Sequence, residues 1–548
     1  MNHLYFGDCL QILKQLNHKN PDGFIDLIYI DPPFNSKRNY NVLFESIDLK
    51  DATAQKQAFA DTWSNVSYID TINELAEINK DLYTFLKTLS NIRISDSAVA
   101  YLSTMAIRIL YMRKALKDTG SFYLHCDPTM SHYLKIVCDL IFGEKNFRSE
   151  IIWQRADAHN DPKNYGSIHD VILFYSKEKQ FKWNHTYTPY SKSYLTSKWS
   201  TTPSGRRYKC DDMTDPRKSM KEYDFMGTVA RWRTNNEKML DLWNAEQTDV
   251  PNSHGRIKLT QNGIPRKDCK ITFLEEREGI PLQDLWTDIN SLRGGADERL
   301  GYPTQKPLSL LERIIKTSSS EGDLVADFFC GCGTTVAAAQ KLNRNWLGVD
   351  ISHLAVRLIA KRLVDTYGLN IKHNFRIDGF PQDAASARML ATENKEGRFN
   401  FQEWVIEVLL NGVVNTKKTG DGGYDGYLTF YISEKQKEFV LVEVKSGTVN
   451  VKNIREFIQV IEKQKAAIGL FVCFEDTVTK EMLKEIKQAG NYHYTGTGYE
   501  SDFPKIQILT IEDLLDDRVP KIPQSNITTF RKAQQAEEPG QASLGLFD

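Results

Sequence analysis

Apolar positions along the chain fall into two textures. Up to about residue 185, and again from Leu308 to Val349, short unbroken apolar runs alternate with stretches of helical period. Phe24–Ile30 (FIDLIYI), Ser121–Leu124, Leu324–Phe328 and Trp346–Val349 are too short for helices, which predicts buried strands. Met105–Lys117, the segment from Leu308 and Thr335–Leu342 repeat apolar residues every three or four positions, which predicts helices. Strands alternating with helices predict an α/β fold with a parallel sheet. From about 186 to 300 this periodicity breaks down, so an insertion is expected there. Polar residues around Ala384–Arg398 predict a linker over 381–398. A second α/β unit is expected over 399–520, with a helix at Phe401–Leu410 and strands at Tyr427–Ile432, Val440–Val444 and Ile468–Phe474. The polar stretch 521–548 predicts a flexible tail.

Composition narrows this picture. With 548 residues, several folded units can each bury a core, and 41% hydrophobic residues excludes a disordered chain. A net charge of −1 excludes a protein that holds nucleic acid by bulk charge, though not a local basic groove. Sixteen Lys/Arg stand against ten Asp/Glu between Lys192 and Lys270, so the insertion is where such a groove is expected. The eight cysteines are scattered and show no C-x-x-C spacing, which disfavours zinc and a disulfide framework. Neither a leader nor an apolar run of membrane-spanning length is apparent. The expectation is a soluble protein of the reducing cytoplasm, with no membrane partner.

Candidate chemistry begins where the strand at 324–328 runs into Cys330-Gly331-Cys332-Gly333-Thr334 and a helix. A Gly-x-Gly turn at a helix N-terminus lets backbone amides approach a ligand closely. A dinucleotide fingerprint would place a third glycine where Val336 stands, which argues against NAD. Asp350 ends the next strand, suited to accept hydrogen bonds from ribose hydroxyls. The second block is Asp31-Pro32-Pro33-Phe34, directly after a buried strand. Two prolines fix the backbone. They present a carboxylate, a carbonyl and an aromatic ring together. Asp31 and the Pro32 carbonyl can accept the two N–H bonds of an exocyclic base amine while Phe34 stacks on the base, equipment for methylating that amine. A plain strand-capping turn is the bland alternative for either block alone.

Together, in this order, the blocks resemble an amino-group DNA methyltransferase of the permuted β class over about residues 1–380. The resemblance implies a Rossmann-like methyltransferase sheet with an inserted target-recognition region at 186–300. It implies S-adenosyl-L-methionine as donor, bound by Asp8, Cys9, Thr304, Lys306, Asp327, Phe329, Gly331, Gly333, Thr334 and Asp350. Within that set, Gly7-Asp8 resembles the contact to the donor adenine, and Pro303–Pro307 the segment holding the methionine carboxylate. Asp31, Pro32, Pro33 and Phe34 are then the catalytic block, and the D-P-P-F form is similar to that of N6-adenine enzymes. N4-cytosine methylation is the alternative. Cytosine carbon-5 methylation needs a Pro-Cys nucleophile, and the sequence contains no Pro-Cys. Phe328 departs from the family, which usually has proline there.

A base amine inside a duplex is unreachable, so the target must be flipped out of double-stranded DNA. Within the insertion Arg206, Arg207, Arg231 and Arg233 are expected to reach phosphates or guanine edges, with Tyr208 and Trp232 for stacking. A solvated basic face is the alternative.

In the second unit Asp425 is followed by Glu443-Val444-Lys445, and strand alternation puts Glu443 and Lys445 on one face. Asp425, Glu443 and the Val444 carbonyl suit Mg²⁺, with Lys445 beside an attacking water. This resembles the Mrr-like branch of the PD-(D/E)xK nucleases over about 399–515, a separate α/β domain. It implies restriction–modification, with cleavage or DNA binding alone as the two outcomes. A DNA-binding regulator built on degenerate folds is the reading from a different class. The tail carries Gln541, Leu544, Leu546 and Phe547, which resemble a peptide that docks on the replication sliding clamp. An accidental apolar terminus is the bland alternative. Homodimerisation is left open by the sequence.

Overall fold

The computed structural model describes residues 2–33, 68–92, 96–157, 165–216, 220–292, 296–302, 304–381, 383–392, 397–410, 412–415, 422–433, 436–496, 499–516 and 518–523. Phe34 and the tail residues Gln541, Leu544, Leu546 and Phe547 lie outside them. Two compact units emerge, residues 185–283 and the remainder.

The main unit is built on a nine-stranded sheet. Its strands are β1 (Asn2–Phe6), β2 (Ile25–Ile30), β3 (Leu116–Cys126), β4 (Phe147–Gln154), β5 (His169–Ser176), β6 (Leu285–Trp286), β7 (Leu324–Asp327), β8 (Asn345–Asp350) and β9 (Phe375–Asp378), in the order β6-β4-β5-β3-β2-β7-β8-β1-β9. All six residues of β2 are buried, as in parallel strands covered on both faces. Helices α1 (Cys9–Lys19), α2 (Tyr68–Ile78), α3 (Lys80–Asn91), α4 (Asp96–Ala115) and α5 (Ser131–Phe142) belong to the first half of the unit. Helices α6 (Leu308–Ser318), α7 (Thr334–Lys341) and α8 (His353–Tyr367) belong to the second.

The sheet is mixed rather than parallel throughout: β5 runs antiparallel to both β3 and β4. The predicted strand at Leu324–Phe328 stops at Asp327, and Phe328 turns into the core at 1% exposure. An apolar ring there fills core volume, which accounts for phenylalanine where the family usually has proline. Leu285 and Trp286, expected in the insertion, return to the sheet. They pair with Ile152 and Trp153, and the Trp153 indole N–H donates to the Ile289 carbonyl at 2.8 Å.

The unit 185–283 carries a five-stranded sheet. Arg207–Asp211 pairs antiparallel with Pro265–Phe273, and Cys210 is bonded to Cys269 across these neighbouring strands. One bridge therefore forms where the spacing gave no sign of it, because the partners are 59 positions apart. Trp232 packs with Phe225, Met239 and Ile257, and Tyr208 with Ile271 and Phe273.

The stretch expected as a linker folds. Helix α9 (Ala384–Thr392) puts Ala387, Leu390 and Ala391 onto the core of the C-terminal sheet, beside Phe401 and Trp404. That sheet contains β10 (Gly426–Ser433), β11 (Gln436–Val444), β12 (Ile468–Cys473) and β13 (Ile506–Thr510). Helix α10 (Gly397–Glu403) continues as a π-helical turn over Trp404–Leu409, and α11 (Val451–Gln464) and α12 (Lys480–Gln488) follow. The turn meets α8, where the Arg357 guanidinium donates to the Glu407 carbonyl oxygen.

Candidate active site

Four neighbouring parallel strands, β2, β7, β8 and β1, each lead at their carboxyl ends to an aspartate: Asp31, Asp327, Asp350 and Asp8. Between β2 and β7 the chain order reverses. In open α/β sheets that switch point is where a crevice opens for ligands.

On the β7 side Gly331 and Gly333 adopt φ of +49° and +73°. A Cβ at Gly333 would lie 2.6 Å from Ile359 Cγ1, so packing onto α8 requires glycine. As N-cap of α7, Gly333 has no side chain to cap the helix, so the first-turn N–H groups face the crevice end of the sheet. Asp350 Oδ2 accepts from the Gly331 N–H and Oδ1 from the Ser352 N–H, both at 2.8 Å. Asp327 accepts from the Phe329 N–H at 3.0 Å and the Thr335 hydroxyl at 2.6 Å. Burial pushes Asp350 up to about 6 and Asp327 up to about 7. Uncapped amides, a glycine turn and a carboxylate at the end of the next strand fit the adenosine and carboxylate groups of S-adenosylmethionine.

Other expected donor contacts are engaged elsewhere. Asp8 caps α1 through the Leu10 and Gln11 N–H groups, and an Arg108 ion pair at 2.5 Å takes its other oxygen. Cys9 points into the core, where burial raises its thiol to about 12. Thr304 takes φ of +65°, a strained conformation for a β-branched residue. The Thr334 hydroxyl donates to the Lys306 carbonyl at 3.3 Å. The Lys306 ammonium pairs with Asp31 Oδ2. Lys306, expected at the donor, thus lies beside Asp31 of the expected catalytic block.

Asp31 and Pro33, partly buried, and the buried Pro32 emerge from β2 at this edge, joined by Lys306 from the loop before α6. Behind them lies a row of polar groups that sequence reasoning missed: the buried Tyr29, His125 and Asp170, and the half-buried Arg155. His-Cys-Asp at 125–127 offered its signal, a polar residue in an apolar strand.

In the insertion the arginines divide. Arg206 pairs with Glu275 and lies over the Phe273 ring, Arg231 faces Glu222, and Arg233 faces Asp212. Arg207 is exposed. Tyr208 and Trp232 are core residues at 6% and 0% exposure, which removes them as stacking platforms. Aromatic residues scattered among charges here serve a small domain's interior.

In the C-terminal domain Asp425, Glu443, Val444 and Lys445 do converge. The Val444 N–H donates to Asp425 Oδ2 at 2.7 Å, and Lys445 pairs with Glu443 at 2.5 Å. Burial raises the Glu443 carboxyl, and the charges of Asp425 and Glu456 add to this against Lys445. Gln402 on α10 donates its amide to both Asp425 Oδ1, at 3.1 Å, and the Val444 carbonyl, at 3.4 Å. One N–H₂ group thus satisfies two of the three expected Mg²⁺ ligands, and a lysine satisfies the third. Among the described residues no group of three or more His, Cys, Asp or Glu side chains could hold a metal ion.

Comparison with known proteins finds a family for each half. Residues 25–362 match the family described as DNA methylase, and the chain belongs to that family. Residues 399–516 match a family described as NACHT-associated inactive Restriction Endonuclease 1, rather than an Mrr-like nuclease. With that description and the Gln402 contacts, Mg²⁺-dependent cleavage loses its basis. Among similar proteins are the type II methyltransferase M.EcaI of Enterobacter cloacae, 30% identical over 48% of this chain and 57% of its own length, and the StyLTI Mod subunit of a Salmonella typhimurium type III restriction-modification enzyme, 27% identical over 62% and 49%. The DNA adenine methyltransferase YhdJ of Escherichia coli is 22% identical over 65% of this chain and 81% of its length. The chain spans about half the length of the first two. Among the described residues no helix is long and apolar enough to cross a membrane.

Proposed function

We propose that the chain is an S-adenosylmethionine-dependent methyltransferase acting on the N6 amine of adenine in double-stranded DNA, in a restriction–modification setting. The observation that carries this reading is the meeting of Asp31-Pro32-Pro33 with the Gly331/Gly333 loop and Asp350 at one switch point. The donor supplies an electrophilic methyl group when bound. Asp31 and the Pro32 carbonyl accept the two N–H groups of a flipped adenine amine, which keeps its lone pair out of the ring and directed at carbon. After transfer the amine carries one proton too many, and the Asp31 carboxylate is the acceptor placed to receive it. Membership of the DNA methylase family and the similarity to an adenine methyltransferase support this assignment.

The C-terminal domain, on this reading, binds DNA without cutting it. Its convergent residues are satisfied by Gln402 and Lys445, and the matching family is described as inactive.

Incubating unmodified plasmid with protein and labelled donor, then digesting to nucleosides, tests the assignment. N6-methyladenine is expected. N4-methylcytosine would replace the base assignment, and absence of label would overturn the activity.

A further inference from the structure

Asp31 stands at the mouth of a buried polar row that crosses neighbouring strands. The Tyr29 hydroxyl on β2 lies 2.8 Å from His125 Nδ1 on β3. His125 Nε2 lies 3.2 Å from Asp170 Oδ2 on β5. Arg155, just beyond β4, donates its Nε–H to Asp170 Oδ1 at 2.8 Å. His125 is fully buried, and its ring meets the Trp153 indole edge-on at 5.7 Å between centroids. A carboxylate accepts and does not donate, so Nε2 carries the imidazole proton and Nδ1 accepts from Tyr29. Burial holds the Tyr29 phenol protonated, foremost among its influences, which suits it to donate.

Such a row costs free energy to bury, and apolar residues of the same volume would stabilise the sheet as well or better. Stability alone is a poor reason for it. The row begins two residues before Asp31, on the strand that leads to it. Burial tends to raise the Asp170 carboxyl, but the His125 hydrogen bond and the charges of Lys306 and Arg155 outweigh it. Lys306, whose field Asp170 feels, is the residue paired with Asp31.

We propose that His125 and Asp170 are positioning residues for methyl transfer: they hold the end of β2 through Tyr29, so that the Asp31 carboxylate meets the target amine in one orientation. This rests on the methyltransferase reading and deepens it. Neither residue touches donor or base, so their effect belongs to the chemical step rather than to binding.

The full chain and its His125→Leu, His125→Gln and Tyr29→Phe variants are compared for DNA methylation, donor affinity and melting temperature. His125→Leu should lower kcat by about 100-fold, the scale of a misplaced reacting group, with KM for DNA and donor affinity little changed. Glutamine can place an N–H₂ near the Nε2 position, so His125→Gln should recover most of kcat. Tyr29→Phe, which keeps the ring and removes one hydrogen bond, should lower kcat about 5-fold. It also serves as the probe should His125→Leu fail to fold. Wild-type kcat in His125→Leu or, where that variant does not fold, in Tyr29→Phe would overturn the proposal, as would losses in kcat that track losses in donor affinity. An inactive wild-type protein would overturn the methyltransferase reading, and this inference with it.

Discussion

Lys306 and Asp31, 275 positions apart in the sequence, form an ion pair at the carboxyl edge of the main sheet. The pair brings the segment before α6 onto the catalytic block.

Asp31→Ala should abolish methylation and leave donor binding nearly intact. Asp350→Ala should weaken donor binding by about 1.5–3 kcal/mol, the worth of hydrogen bonds to a charged acceptor. Lys306→Met should resemble Asp31→Ala, with kcat falling more than donor affinity. Calorimetric titration of donor into each variant, beside single-turnover methylation, checks the division. Equal loss of donor affinity in all three would refute it.

Stability should depend on pH through Asp327 and Asp350. Burial raises their carboxyls to about 7 and about 6, from an ordinary value of 3.8. Each group binds its proton more tightly in the fold than in the unfolded chain. Their contribution to stability is therefore full below about pH 4 and lost as pH rises towards 7. For the ligand-free protein these two groups should lower the melting temperature between pH 5 and 7, and Asp327→Asn should flatten that slope. An unchanged slope in the variant would refute the assignment.

Mg²⁺ or Mn²⁺ at millimolar concentration should not raise the melting temperature of the chain, and DNA should remain uncut. Gln402→Glu removes the amide that links Asp425 to the Val444 carbonyl and supplies a third carboxylate. That variant should gain a cation-dependent rise in melting temperature. Stabilisation of the wild-type protein by Mg²⁺ would show that Gln402 does not close the site.

Within residues 185–283, Trp232→Ala should destabilise the unit by about 3–5 kcal/mol, as large aromatic truncations in cores do. Arg207→Ala should leave stability within about 0.5 kcal/mol, since surface changes rarely do more. If the unit reads DNA, Arg207→Ala should weaken DNA binding and lessen its dependence on salt. Denaturant melts and filter binding at two salt concentrations separate the two effects.

The legible parts of this molecule are those in which a short apolar run ends on an acidic or glycine-rich turn. FIDLIYI before Asp31, and Leu324–Asp327 before the Gly331/Gly333 loop, announced both strand and chemistry because period, length and turn residues agree there. The buried row stayed hidden, because a lone His125 within an apolar strand carries no period or spacing of its own. The strand order that brings Asp170 beside His125 is not written locally. Trp232 and Tyr208 misled for a related reason: a small β-rich unit draws its core from widely spaced aromatics, so burial there leaves no alternation to read. Residues 384–392 looked like a linker, since the four residues of that helix that meet the core are mostly alanines, Ala384, Ala387, Leu390 and Ala391.

The contact of α8 with the π-helical turn has a practical corollary. Helix α8 starts just after Asp350 and bears Ile359, which packs on the donor loop at Gly333, while Arg357 reaches over to Glu407. Phe380 stacks on Phe6 of β1 at 4.7 Å and also joins the C-terminal core. Cutting the chain near residue 380 to isolate a minimal methylase would therefore uncover a guanidinium and an aromatic face on the rear wall of the donor site.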